Sequence, residues 1–205
     1  MTFENAVTLV FGGLTARVFL SRANIQAGDT VLVNGASGAV GTAAVQLAKQ
    51  QDAHVTGVSS AANADLVASL GADRVLDYSA GDFLTEGTTY DVVMDCVGNL
   101  PFERAAASIN PGGALLLVVA DLKGILRAPW RSRASGKLVT AGSVTYTAED
   151  LAFLVRLAEQ GHYRSVRDRS YDLADVVAAH RFVDAGRKRG NVVLRMPAST
   201  AARMS

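Results

Sequence analysis

Thr30-Val31-Leu32-Val33-Asn34-Gly35-Ala36-Ser37-Gly38-Ala39-Val40-Gly41 carries a short apolar run, breaks into closely spaced small residues, and opens a helical pattern from Thr42 to Gln50. Strand, small-residue turn and helix in that order form a dinucleotide phosphate site. A pyrophosphate approaches only a backbone free of obstructing side chains, and the first-turn amides of a helix lack intrahelical partners and lie at its positive end. The turn residues Ala36, Ser37, Gly38, Ala39, Val40 and Gly41 are therefore the candidate cradle. The usual first glycine of the fingerprint is Ala36 here, which a tight turn tolerates where φ stays negative.

Outward from this turn, strand-like runs alternate with helical patterns. The strands are Thr30–Asn34, His54–Ser59, Arg74–Tyr78, Asp91–Asp95, Ala114–Ala120 and Lys137–Ser143. The helices are Thr42–Gln50, Ala62–Leu70, Pro101–Ile109 and Ala148–Gln160, with an opening helix at about Thr8–Arg22. This alternation predicts a doubly wound parallel sheet of the α/β Rossmann type, and the near-continuous Val/Leu strands fit a sheet covered on both faces. Thr147-Ala-Glu-Asp150 has nearly the form of a capping box, and Gly71 and Gly161 follow helix ends. After Gly161 the pattern changes to a strand at Ser165–Leu173, a helix at Ala174–Ala185 and a strand at Asn191–Met196. Residues 1–161 are thus expected to form the dinucleotide-binding domain, with 162–205 as a separate C-terminal segment.

Composition narrows the function classes. A net charge of +1 over 205 residues offers no bulk attraction to nucleic acid. The lone Cys96 permits no intramolecular disulfide and no Cys-rich structural zinc site, and reads as a small buried residue at a strand end. The longest uninterrupted apolar run, Ala114–Ala120, is of strand length, so no membrane partner is expected and a cytoplasmic location is the default. His54, His162 and His180 read as surface or satisfied core residues. No Tyr-x-x-x-Lys pair occurs, because Tyr78, Tyr90, Tyr146, Tyr163 and Tyr171 are followed four residues on by Asp82, Met94, Asp150, Arg167 and Asp175. That removes the short-chain reductase chemistry in its usual form, and no catalytic acid is evident.

Gly13-Leu-Thr-Ala16, Asn34 through Gly41, Val45-Gln-Leu-Ala-Lys49, Ser69-Leu-Gly-Ala-Asp73, Val75-Leu-Asp-Tyr78, Asp95-Cys-Val-Gly98 and Arg189-Gly-Asn-Val-Val193 follow one another in order. Together they resemble the zinc-free, quinone-oxidoreductase-like branch of the medium-chain dehydrogenase/reductases. The resemblance covers about residues 3 to 196. It implies a GroES-like substrate domain ahead of Gly13-Leu-Thr-Ala16, most of which this chain lacks, and a C-terminal tail that is a remnant of that domain. With its partner absent, the tail is expected either to pack on the nucleotide domain or to pair with another chain, and a homodimer is the expected assembly.

The implied activity is metal-free hydride transfer from NADPH to a quinone, an enone or another activated carbonyl. Val58-Ser59-Ser60 ends the second strand without the carboxylate that would hold a ribose and repel a 2′-phosphate. Ser59, Ser60, Asn63 and Tyr78 are the candidate ribose-phosphate residues, which favours NADP(H) over NAD(H), although Ala61 and Ala62 supply no charge where relatives carry Arg or Lys. Thr15, the loop after Val97 and Gly98, and the strand end around Val118 to Ala120 match positions that surround the nicotinamide in the family. As residues alone, Thr15 also reads as a hydroxyl bonded to its own helical turn. Arg187-Lys188-Arg189 reads as a solvated basic turn, while the resemblance puts this turn near the cofactor, with Lys188 and Asn191 as the candidate contacts. A non-catalytic NADP(H)-binding sensor or partner module stays open as a second function, while the absence of an acid at the end of the second strand argues against a methyltransferase.

Overall fold

In a computed structural model the described residues are 1–84 and 87–197. Six parallel strands form one sheet in the order β3-β2-β1-β4-β5-β6. They are β1 Thr30–Asn34, β2 His54–Ser59, β3 Arg74–Asp77, β4 Tyr90–Asp95, β5 Ile109–Leu117 and β6 Leu138–Ala141. The doubly wound α/β sheet expected from the alternating pattern is present, and β1 and β2 have the bounds read from the sequence.

Alternation of side chains along each strand divides the core. Val31, Val33, Val55, Met94 and Leu116 pack to one face, against α2 (Leu14–Ala23), α3 (Ala39–Lys49), α4 (Ala64–Ser69) and α7 (Ala148–Glu159). Leu32, Val58, Val93, Leu115 and Leu117 pack to the other, with Leu100, Ala105 and Ala128 from α5 (Phe102–Ala105), α6 (Leu122–Ser135) and the loop before α5. Phe19 of α2, Val45 of α3 and Leu154 of α7 are all wholly buried on the first face. Each contributes on the order of 2 kcal/mol by leaving water.

Several boundaries differ from the sequence expectation. The opening helix starts earlier, as α1 Phe3–Thr8, and continues through a π-helical turn at Leu9–Gly13 into α2. The stretch 3–23 is long and apolar enough to cross a membrane, with a hydropathy of 1.3, but half of it is buried against the protein. Close packing explains the turn: a Cβ on Gly12 would stand 2.3 Å from the Ala39 carbonyl oxygen. Helix α3 begins at Ala39, not Thr42, because Gly38 already occupies the N-cap position in extended conformation. The expected helix at Pro101–Ile109 shrinks to α5 and a 3₁₀ turn, since Ile109 pairs with Tyr90 and begins β5. Helix α6 went unread, with Gly124 in its first turn and Pro129 inside it; Asp121 caps it by accepting the Gly124 N–H at 2.7 Å. The capping box of α7 is complete, Thr147 and Asp150 each bonding the other's backbone N–H.

The tail forms a separate βαβ unit: β7 Arg167–Asp172, α8 Val176–Asp184 and β8 Asn191–Arg195, the two strands paired in parallel. It packs on α1, α3 and the turn between β1 and α3. Gln46 of α3 accepts the Arg164 N–H at 2.7 Å and donates to its carbonyl at 3.1 Å. Ser165 donates to the Asn5 carbonyl, and Glu4 forms ion pairs with Arg167 and Arg195. Gly190 bridges to Gly38, its N–H donating to the Ser37 carbonyl at 2.7 Å. Only glycine allows this approach, because φ is 58° and a Cβ would lie 2.3 Å from the Val166 oxygen.

Candidate functional site

The strand order reverses between β1 and β4, and in such sheets the crevice beyond the carboxyl ends of the strands is where ligands bind. A cleft of about 1310 Å³ opens there. Its floor is a polar cluster built on the buried Asn34 and Asp95. The Asn34 side-chain amide donates to Asp95 at 2.8 Å and to Asn99 at 2.7 Å. Asp95, wholly buried, also accepts the N–H groups of Val97, Gly98 and Leu100, which fixes the turn after β4.

The phosphate turn forms the centre of the cleft wall. The left-handed step falls on Gly35 (φ 79°), so Ala36 keeps a negative φ and is buried beneath the turn, its N–H bonded to the Val58 carbonyl. A Cβ on Gly38 would meet nothing nearer than the Gly35 oxygen at 3.4 Å, whereas a Cβ on Gly41 would stand 2.1 Å from that oxygen. Gly41 thus seats α3 against the turn, while Gly38 leaves the cleft-facing backbone bare. The free amides at the start of α3 can receive an anion.

Beyond the ends of β2 and β3 lie Ser59, Ser60, Asn63 and Tyr78, all lining the cleft. The Ser59 hydroxyl is already spent on the Ser60 carbonyl at 3.1 Å, and Asn63 donates to the Ser37 hydroxyl at 3.1 Å. Beyond β4, β5 and β6 lie Val97, Val118, Val119, Ser143 and Val144, with Thr15 and Tyr146. The Thr15 and Tyr146 hydroxyls share a hydrogen bond of 3.1 Å, so Thr15 does not bond back to its own helical turn.

Twelve of the fifteen residues singled out in the sequence line the cleft, from Thr15 and Ser37–Gly41 to Lys188. Ala36, Gly98 and Asn191 do not. Gly98 donates to Asp95, and the Asn191 amide donates to the Val166 carbonyl at 3.0 Å. Lys188 donates to the Gly190 carbonyl at 2.9 Å; burial lowers its pKa, and the Asp168 charge partly opposes that. Cys96 is held protonated by burial and, second, by the Asp95 charge, both of which push its pKa far above the thiol range. Arg187 and Arg189, from the basic turn noted in the sequence, also line the cleft, as do Asn34, Asn99 and Tyr146, which were not picked out as candidates from the sequence. A polar residue ending an apolar strand could have flagged Asn34; Tyr146 carries no local signal.

The profile of the family described as zinc-binding dehydrogenase matches residues 70–194. The chain belongs to this family. The zinc-binding dehydrogenase fold extends to solved structures: a quinone oxidoreductase from Coxiella burnetii superposes with a TM-score of 0.87 at 28% identity, covering 96% of this chain and 62% of that one. A mycobacterial protein complexed with NADPH superposes at 0.78 with 30% identity, covering 95% and 65%. Among curated relatives, the chloroplast envelope quinone oxidoreductase homolog of Arabidopsis thaliana is 31% identical over 204 residues, 92% of this chain and 61% of the relative. The chain spans about three fifths of the length of the curated relatives it matches. Among the described residues, no three of His, Cys, Asp and Glu gather where they could hold a metal ion. The described side chains do not fit a zinc site.

Proposed function

We propose that this protein is an NADPH-dependent oxidoreductase that reduces a quinone, an enone or another activated carbonyl without metal, and that the chain supplies its cofactor-binding part. The observation that carries this is the bare phosphate turn centred in a cleft at the reversal point of the sheet. NADPH, when bound, supplies a hydride. The amides of Ala39, Val40 and Gly41, with Ser37, hold the pyrophosphate at the start of α3. Ser60, Asn63 and Tyr78 line the adenosine side, where no carboxylate repels a 2′-phosphate. Thr15 and Tyr146 face the other half across the β5 and β6 ends, and Val97, Val118, Val119 and Val144 give that half an apolar wall. A homodimer is the proposed assembly, with β6 pairing only with β5 among the described residues.

A second reading, a non-catalytic NADP(H)-binding module, is favoured by the openness of that apolar wall: Phe11 is 67%, Val97 49% and Val119 50% exposed. Calorimetric titration tests the shared cofactor step. Saturable NADPH binding, tighter than that of NADH, is expected, and a chain that binds no dinucleotide would sink both readings.

A further inference from the structure

The end of β2 has no cation for a 2′-phosphate: Ala61 and Ala62 follow the serines, and the Ser59 hydroxyl is engaged with its own backbone. The tail supplies the charge from a distant part of the chain. Gly190 donates to the Ser37 carbonyl, and Asn63, just before α4, donates to the Ser37 hydroxyl, so the turn 187–190 and the β2–α4 loop meet on one residue. Arg187 and Arg189 line the main cleft together with Ser60 and Asn63. The same two arginines, with Leu66 of α4, also line an adjoining hollow of about 400 Å³.

The other charged groups there are committed. Arg167 pairs with Glu4, while Arg169 pairs with Asp168 and lies 3.8 Å from the centre of the Phe182 ring. Asp168 accepts the backbone N–H of Arg189 at 2.7 Å. Among the described residues, neither Arg187 nor Arg189 has a carboxylate within ion-pair distance.

We propose that Arg187 and Arg189 form the subsite for the 2′-phosphate of NADP(H), so that cofactor choice is made by the tail turn and not by the residues that follow β2. This rests on the dinucleotide reading above and specifies it. A guanidinium suits a phosphomonoester because its planar donors match two phosphate oxygens at once. Two such partners facing a dianion at the rim of a cleft give strong discrimination against a ribose hydroxyl.

The test is calorimetric titration of the full chain and of an Arg187→Ala/Arg189→Ala variant with NADPH, NADH, 2′,5′-ADP and 5′-ADP, with thermal melts to check folding. The variant should lose NADPH and 2′,5′-ADP affinity on the order of 100-fold, with less than about a threefold loss for NADH and 5′-ADP. An Arg187→Lys/Arg189→Lys variant should keep much of the preference, and added salt should narrow the wild-type difference. Equal losses for all four ligands, or unchanged NADPH binding, would overturn the subsite while leaving the cofactor assignment standing. A wild-type chain that binds none of the four would overturn both.

Discussion

Asn34, the last residue of β1, donates its side-chain amide to the carboxylate of Asp95, the last residue of β4, at 2.8 Å. The two are register partners across the strand pair where the sheet order reverses. Each ends its strand with a buried polar group, the Asn34 amide donating to Asp95 and Asn99 and the Asp95 carboxylate accepting from Asn34, Val97, Gly98 and Leu100. The cleft floor and the turn from Cys96 to Leu100 hang on this one carboxylate.

Asp95→Ala should therefore destabilise the fold by about 3 kcal/mol, because it strands several buried N–H donors and the Asn34 amide without an acceptor. Urea denaturation measures it. A loss under about 0.5 kcal/mol would show that the turn holds itself.

Substitutions at Gly38 and Gly41 should separate binding from folding. At Gly38 the nearest obstacle to a Cβ is 3.4 Å away, so Gly38→Asp should fold, yet its carboxylate would occupy the proposed pyrophosphate site and abolish NADPH affinity. At Gly41 a Cβ would overlap the Gly35 oxygen at 2.1 Å, and Gly41→Ala should cost about 3 kcal/mol of stability. Thermal melts and cofactor titration on the two variants check the contrast.

Acid should weaken the fold through Asp91. Burial alone would raise its pKa, but the Thr30 N–H, the Asn110 amide and the Thr30 hydroxyl outweigh it and hold it below the ordinary 3.8. A depressed folded pKa means stabilisation that is complete above the unfolded value and lost as pH falls through the folded one. Denaturation midpoints should therefore drop below about pH 3.8, and Asp91→Asn should flatten that limb. An unchanged slope in the variant would assign the acid limb to other carboxylates, such as Asp73.

Turnover of quinones or enones by this chain alone should be slow. Hydride transfer needs an acceptor held at contact distance in a site that excludes water, and Phe11, Val97, Val119 and Tyr146 leave the far half of the cleft between 44% and 67% exposed. Steady-state NADPH oxidation checks this. Rates on the order of ten per second would mean that the chain completes its own active site.

The sequence by itself determined the parallel sheet, most element positions and the phosphate turn. These depend on short-range facts: the apolar run of Val31–Val33, the small residues from Gly35 to Gly41, and the cap at Thr147. It misplaced the start of α3 because small residues at a helix N-terminus look like loop, and it missed α6, whose Gly124 and Pro129 break the pattern that Asp121 nonetheless caps. Tertiary structure alone brought Tyr146 to Thr15, 131 positions apart, and Arg164 to Gln46, 118 positions apart. No local periodicity encodes such pairings. The first follows from the packing of α7 on α2; the second follows from the docking of the tail βαβ unit on α1 and α3, which Gln46, Asn5, Glu4 and the Ser37 carbonyl all share.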